Sequence, residues 1–124
     1  MRDQHYGRVV MTTSSSGLYG TFGQANYGAA KAALVGLMNV LHLEGEKYGI
    51  RVNAISPVAA TRMMEGLLPE AAAVLLAPEA VAPAVLYLAS DEAPSRTILG
   101  AGAGVYSRIE VVETDGIYLD DFAN

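Results

Sequence analysis

The chain has no cysteine among its 124 residues, which excludes disulfides and thiolate metal sites. Histidine is scarce as well: His5 and His42 lie too far apart to suggest a ligand pair, and the carboxylates show no spacing suited to a metal. Basic residues are few and scattered, eight Lys and Arg against thirteen Asp and Glu. The resulting charge of −5 argues against non-specific nucleic-acid binding, which needs clustered cations to displace counterions. Long hydrophobic runs are missing too. The longest, Ala32 to Leu41, is broken by Gly36 and Asn39 and reaches only half of the ~20 residues that span a bilayer, so no membrane helix is expected. Met1-Arg2-Asp3-Gln4-His5-Tyr6 contains no apolar signal core, and Asp121-Phe122-Ala123-Asn124 is no targeting signal, so a cytoplasmic location is expected.

What is present is apolar material enough for a core: 52% of the residues are hydrophobic, in a length suited to one small unit. Arg8-Val9-Val10-Met11-Thr12-Thr13 is short and β-branched and runs into Ser14-Ser15-Ser16-Gly17, the pattern of a buried strand followed by a loop, here reaching to about Gln24. From Ala25 to Tyr48 a helical period takes over, with Ala30, Leu34, Leu37 and Leu41 as its stripe and Gly49 as its stop. Arg51-Val52-Asn53-Ala54-Ile55 reads as a second buried strand closed by Ser56-Pro57, which makes strand, helix and strand one right-handed crossover of a parallel sheet. Between Thr61 and Ala77 an apolar stretch containing Met63 and Met64 is read as a short helix or flap. Pro78-Glu79 opens another helix with Val81, Ala84, Val85 and Leu88 on its buried stripe, bent at Pro83, and with Tyr87 in the core. Thr97-Ile98-Leu99 starts a third strand. After Gly100 to Gly104, alternation from Val105 to Val111 predicts a further one, and residues 114–124 form an acidic tail.

Chemistry is concentrated early in the chain. Tyr27 and Lys31 are four apart at the start of the long helix, so they share one face about a turn apart. A neighbouring ammonium favours the phenolate, which suits a tyrosine to act as general acid or base. Ser14 ends the preceding strand, thirteen residues before Tyr27, where its hydroxyl can reach the same substrate oxygen. A Tyr and a Lys at this spacing also occur in many helices as a merely solvated pair. Three companions favour the chemical reading: the strand-to-Ser14 placement, the small residues Gly28, Ala29 and Ala30, and the following strand ending Asn53-Ala54-Ile55-Ser56-Pro57.

Together these residues resemble the second half of the short-chain dehydrogenase/reductase family, and the resemblance covers nearly the whole chain. Gly7-Arg8-Val9-Val10-Met11-Thr12, Tyr19-Gly20-Thr21-Phe22-Gly23-Gln24-Ala25-Asn26-Tyr27, Pro78-Glu79-Ala80-Val81-Ala82-Pro83 and Gly102-Ala103-Gly104 are similar to one branch, the dehydrogenase domain of multifunctional enzyme type 2. That branch oxidises (3R)-hydroxyacyl-coenzyme A with NAD. The resemblance implies Tyr27 as catalytic acid/base, Lys31 assisting it and bonding the nicotinamide ribose, and Ser14 orienting the reacting oxygen. It also places Pro57, Val58 and Thr61 beside the cofactor, although Val58 stands where the family usually has Gly and Thr61 comes one residue early.

The same resemblance implies half of a doubly wound Rossmann-type α/β domain: three parallel strands in sequence order, crossover helices and an added C-terminal strand. The family's nucleotide-binding half carries a Gly-rich turn, the residue that selects NAD or NADP and a catalytic asparagine, and six residues before Gly7 leave no room for it. Gly100-x-Gly102-x-Gly104 is no substitute, because a phosphate loop must open a helix and a strand-like segment follows here. The chain alone is therefore expected to bind NAD or NADP poorly. Two outcomes stay open: an oxidoreductase acting on an acyl-CoA-like substrate once the missing half is supplied, or a truncated, silent unit of association. A bare edge on the first strand and a helix apolar on nearly every side predict a homo-oligomer in either case.

Overall fold

The structure, a computed structural model, describes residues 1–58, 77–120 and 122. Its centre is a four-stranded sheet in sequence order, β1 (Gly7–Thr12), β2 (Ile50–Pro57), β3 (Ile98–Gly102) and β4 (Val105–Ile109). The first three strands are parallel, with Gly7 opposite Ile50, Thr12 opposite Ile55 and Pro57 opposite Ala101. The fourth returns antiparallel, pairing Ile98 with Ile109 and Gly102 with Val105. Its two-residue turn, Ala103-Gly104, has φ of 51° and 75°, the twist that a tight hairpin requires. The partial doubly wound, Rossmann-type α/β layer is thus present.

Because side chains alternate along a strand, the sheet builds a core on each face. On one side the 21-residue helix α2 (Ala25–Gly45), which follows a short α1 (Ser15–Leu18), buries Met38 against Val52, Ala54 and Ile98. On the other, α3 (Ala82–Ala89) packs Ala84 and Leu88 on Ile55 and Ala101. After α2 a 3-10 turn, Glu46–Tyr48, ends at Gly49, whose left-handed φ of 66° lets the chain enter β2. Asn53 is fully buried in β2, and it donates to the Pro94 carbonyl (2.8 Å) and accepts from Thr97 N–H (3.0 Å), which fastens the loop before β3.

Four local expectations need correction. The α2 stripe of Ala30, Leu34, Leu37 and Leu41 is rotated: Met38 and Gly45 are buried, Val35 and Leu41 pack beside Met38, and Ala30 and Leu37 are exposed. Helix α3 starts only at Ala82, so Pro83 lies in the first turn, where a missing N–H costs nothing and no bend is needed. Tyr87 and Val85 are exposed on α3 rather than in the core. Finally, part of the loop after Ser14 is the short helix α1.

β1 stands at the sheet's edge, with one side unpaired among the described residues. Residues 110–119, which include the start of the acidic tail, carry no helix or strand. No described helix is long and apolar enough to cross a membrane, and no described group of three His, Asp or Glu could hold a metal.

Candidate active site

Parallel strands bring their carboxyl ends to one edge, and the crossover helix begins at that same edge. Ser14 therefore follows the end of β1, Pro57 and Val58 lie at the end of β2, and Tyr27 and Lys31 occupy the first turns of α2. This is the edge at which open α/β sheets bind their ligands.

The Lys31 ammonium donates to the Thr12 carbonyl at 2.9 Å, at the last residue of β1, and stands 5.7 Å from the centre of the Tyr27 ring. One of its three N–H groups is thereby used, and the other two have no partner among the described residues. Tyr27 is 43% exposed, and its hydroxyl makes no hydrogen bond to a described residue. A phenol open to solvent beside an anchored cation can exchange a proton with a bound molecule.

Ser14 is the N-cap of α1. Its backbone is extended (φ −157°, ψ 152°) and its Oγ accepts the Ser16 N–H at 3.2 Å, which satisfies one of the orphan donors of the helix start. The Ser14 O–H has no acceptor among the described residues. Two glycines seat this turn on α2. A Cβ at Gly17 would lie 2.6 Å from Ala32 N and 2.9 Å from the Lys31 carbonyl carbon, and one at Gly28 would lie 3.1 Å from Ser16 O. Gly28, beside Tyr27, thus serves close packing of α1, whereas Ala29 and Ala30 are exposed.

Thr13, which the sequence does not single out, is 1% exposed; its N–H donates to Ile55 O at 2.8 Å and its hydroxyl to the Lys31 carbonyl at 2.7 Å. Its one mark in the sequence is a place in the hydroxyl run Thr12-Thr13-Ser14-Ser15-Ser16. Across the edge, Val58 N–H donates to Ala101 O at 2.8 Å, and a Cβ at Gly102 would meet Val58 O at 2.6 Å. Gly102 therefore lets the end of β3 close under the Pro57-Val58 segment. Thr61 lies outside the described residues, as do Met63 and Met64. His42, late in α2, is bonded through Nδ1 to Ser95 Oγ at 2.9 Å and takes no part in this edge.

A parallel α/β layer with a tyrosine, a lysine and a serine gathered at its carboxyl edge defines a Rossmann-type class. Residues 1–72 match the short chain dehydrogenase family, and the chain belongs to that family. It is 51% identical over 120 residues to a short-chain type dehydrogenase/reductase of Mycobacterium tuberculosis, covering 96% of this chain and 42% of that one. It is 45% identical over 117 residues to the peroxisomal multifunctional enzyme type 2 of Mus musculus, covering 94% of this chain and 16% of that enzyme. The full-length peroxisomal multifunctional enzyme type 2 from Drosophila melanogaster superposes with a TM-score of 0.85 at 38% identity, over 96% of this chain and 21% of the larger one. The chain thus spans less than half the length of each of these relatives.

Proposed function

We propose that residues 1–124 are the catalytic half of an NAD(P)-dependent oxidoreductase that interconverts a hydroxyl and a ketone on a 3-hydroxyacyl-CoA-like substrate. One observation carries the reading: an exposed Tyr27 ring lies 5.7 Å from a Lys31 ammonium that is itself tied to the end of β1. The substrate class rests on the sequence resemblance to the type 2 multifunctional branch and on the similarity to the mouse and fly enzymes of that name.

In this reading Tyr27 Oη takes the hydroxyl proton of the substrate in oxidation and returns it in reduction. Ser14 donates its O–H to the same substrate oxygen and sets its direction. Lys31, fixed by Thr12, stands beside Tyr27, and its two N–H groups without a partner among the described residues would bond the ribose hydroxyls of the cofactor. NAD(P), when bound, supplies the carbon that accepts or gives the hydride. The residues fit its nicotinamide end: two uncommitted ammonium donors, the exposed phenol and the open end of β2 at Pro57 and Val58, with Thr61 assigned there by resemblance. They do not fit its pyrophosphate end, since the three glycines from Gly100 to Gly104 lie in a strand and a hairpin turn rather than before a helix. A complete site requires that element from elsewhere.

The test is the protein purified from its own cells, with whatever accompanies these residues retained, assayed for NAD(P)-linked oxidation of 3-hydroxyacyl-CoA. Tyr27→Phe, which removes one hydroxyl and almost no volume, should lower turnover at least ~100-fold with the fold unchanged. Wild-type turnover in the Phe variant would end this reading. The edge of β1, unpaired among the described residues, favours a second one, a silent association unit. In that case no turnover appears in the wild type, and the purified protein is found only in an assembly.

A further inference from the structure

We propose that Thr13 is the positioning residue for Lys31, so that its hydroxyl, and not only the Tyr-x-x-x-Lys spacing, sets the geometry of the acid/base pair. The inference rests on the reading of Tyr27 and Lys31 given above. Two hydrogen bonds of opposite sense join the same two segments: the Lys31 ammonium donates to Thr12 O at 2.9 Å, and the Thr13 hydroxyl donates to Lys31 O at 2.7 Å. One bond holds the tip of the side chain and the other holds its main chain. The rotation of α2 about its own axis, and its height along β1, are therefore both fixed at Lys31. Tyr27 lies one turn earlier on the same helix and inherits that setting.

Thr13 is itself immobilised. It is 1% exposed, and its N–H extends the β1–β2 pairing by donating to Ile55 O at 2.8 Å. From the side of α1, Gly17 presses on the Lys31–Ala32 peptide so closely that a Cβ would stand 2.6 Å from Ala32 N. The Lys31 peptide is thus clasped between a buried hydroxyl and the α1 backbone. A hydrogen bond into a helix carbonyl is not needed to satisfy that carbonyl, which already lies within the ladder of α2. Such a bond matters for where the helix sits. Without it, α2 retains its apolar seat through Met38 but loses its fixed register at the catalytic end.

Thr13→Val keeps shape and burial and removes only the hydroxyl, and Thr13→Ser keeps the hydroxyl and removes only the methyl. Both are introduced into the protein purified from its own cells and compared with wild type and with Tyr27→Phe. Since displacement of a reacting group by 1 Å costs up to ~100-fold, Thr13→Val should lower kcat about tenfold, leave KM within about twofold, and shift the pH profile of kcat. Thr13→Ser should restore both kcat and the profile. A Thr13→Val enzyme with wild-type kcat and profile, beside an inactive Tyr27→Phe, would overturn the proposal and leave the acid/base reading standing. Equal impairment of the Ser and Val variants would also overturn it, because packing of the methyl would then be responsible. An active Tyr27→Phe would instead end the acid/base reading, and the Thr13 proposal with it. If Thr13→Val does not fold by circular dichroism, Thr13→Ala is the second variant without the hydroxyl, judged by the same outcomes.

Discussion

Gly17→Ala is the sharpest test of how the candidate site is held. Gly17 lies in α1 with no left-handed φ, so alanine suits its backbone and the whole penalty is steric. The new Cβ would lie 2.6 Å from Ala32 N and 2.9 Å from both the carbonyl carbon and the Cβ of Lys31. The nearest obstacles are main-chain atoms of a long helix and cannot swing aside. Restoring ordinary contact requires α1 to move by about 1 Å, and overpacking of this kind costs ~1–3 kcal/mol. The replacement of Gly by Ala in a helix returns ~1 kcal/mol, which leaves a net loss of up to ~2 kcal/mol and a fall in Tm of up to about 8 °C. Gly36→Ala is the matched control. It lies inside α2 with nothing within 4 Å of its added Cβ, so the variant should gain ~0.5–1 kcal/mol and melt higher. Thermal melts followed by circular dichroism decide the matter. If Gly17→Ala melts above the wild type, as Gly36→Ala should, α1 is not seated on the Lys31–Ala32 peptide, and the placement of Ser14 is wrong.

Three further outcomes are expected. The Tyr6 hydroxyl donates to Asp91 Oδ1 at 2.6 Å, and that bond raises the phenol above its ordinary 10.0. Its contribution is complete below about pH 10 and lost as pH rises through the higher folded value, so wild-type Tm should fall more steeply above pH 10 than that of Tyr6→Phe; parallel curves would refute this. Leu37 is 47% exposed on α2 whereas Met38 is 2% exposed, so Leu37→Glu should weaken self-association in light scattering while Met38→Glu unfolds the chain, and a monomeric wild type unchanged by Leu37→Glu would contradict the apolar-face reading. Calorimetric titration of the isolated 124-residue chain with NAD should give no micromolar Kd, since no described helix opens from a Gly-rich turn after a strand; a micromolar value would show that the anchoring contacts lie within these residues.

Much of the framework is legible in the residues themselves. β-branched runs mark β1 and β2, the period and Gly49 mark α2 and its stop, and the alternation after Val105 marks β4, because each signal is local and each agrees with its neighbours. Residue type and spacing likewise place Tyr27 and Lys31 on one helical face and Ser14 at a strand end. Local signals fail where several faces are equally apolar or where a residue answers to a distant neighbour. Periodicity cannot choose the buried side of a helix that is apolar almost all round, and contact with Val52, Ala54 and Ile98 selects Met38 over Leu37. Gly100 and Gly102 are paired strand residues of β3, and glycine is needed there because Ser107 Oγ and Val58 O approach to 2.8 and 2.6 Å of where a Cβ would stand.

The sequence by itself determined which chemical groups are available and the helical spacing that pairs Tyr27 with Lys31, since backbone geometry within one element needs no partner. Only the tertiary structure decided that Ser14, the Tyr27–Lys31 pair and the Pro57–Val58 segment share one edge, and that Thr13 reaches across to Lys31 O at 2.7 Å. Those proximities depend on the parallel register of β1 with β2 and β2 with β3, which is set by contacts between residues more than forty positions apart. No local propensity encodes them.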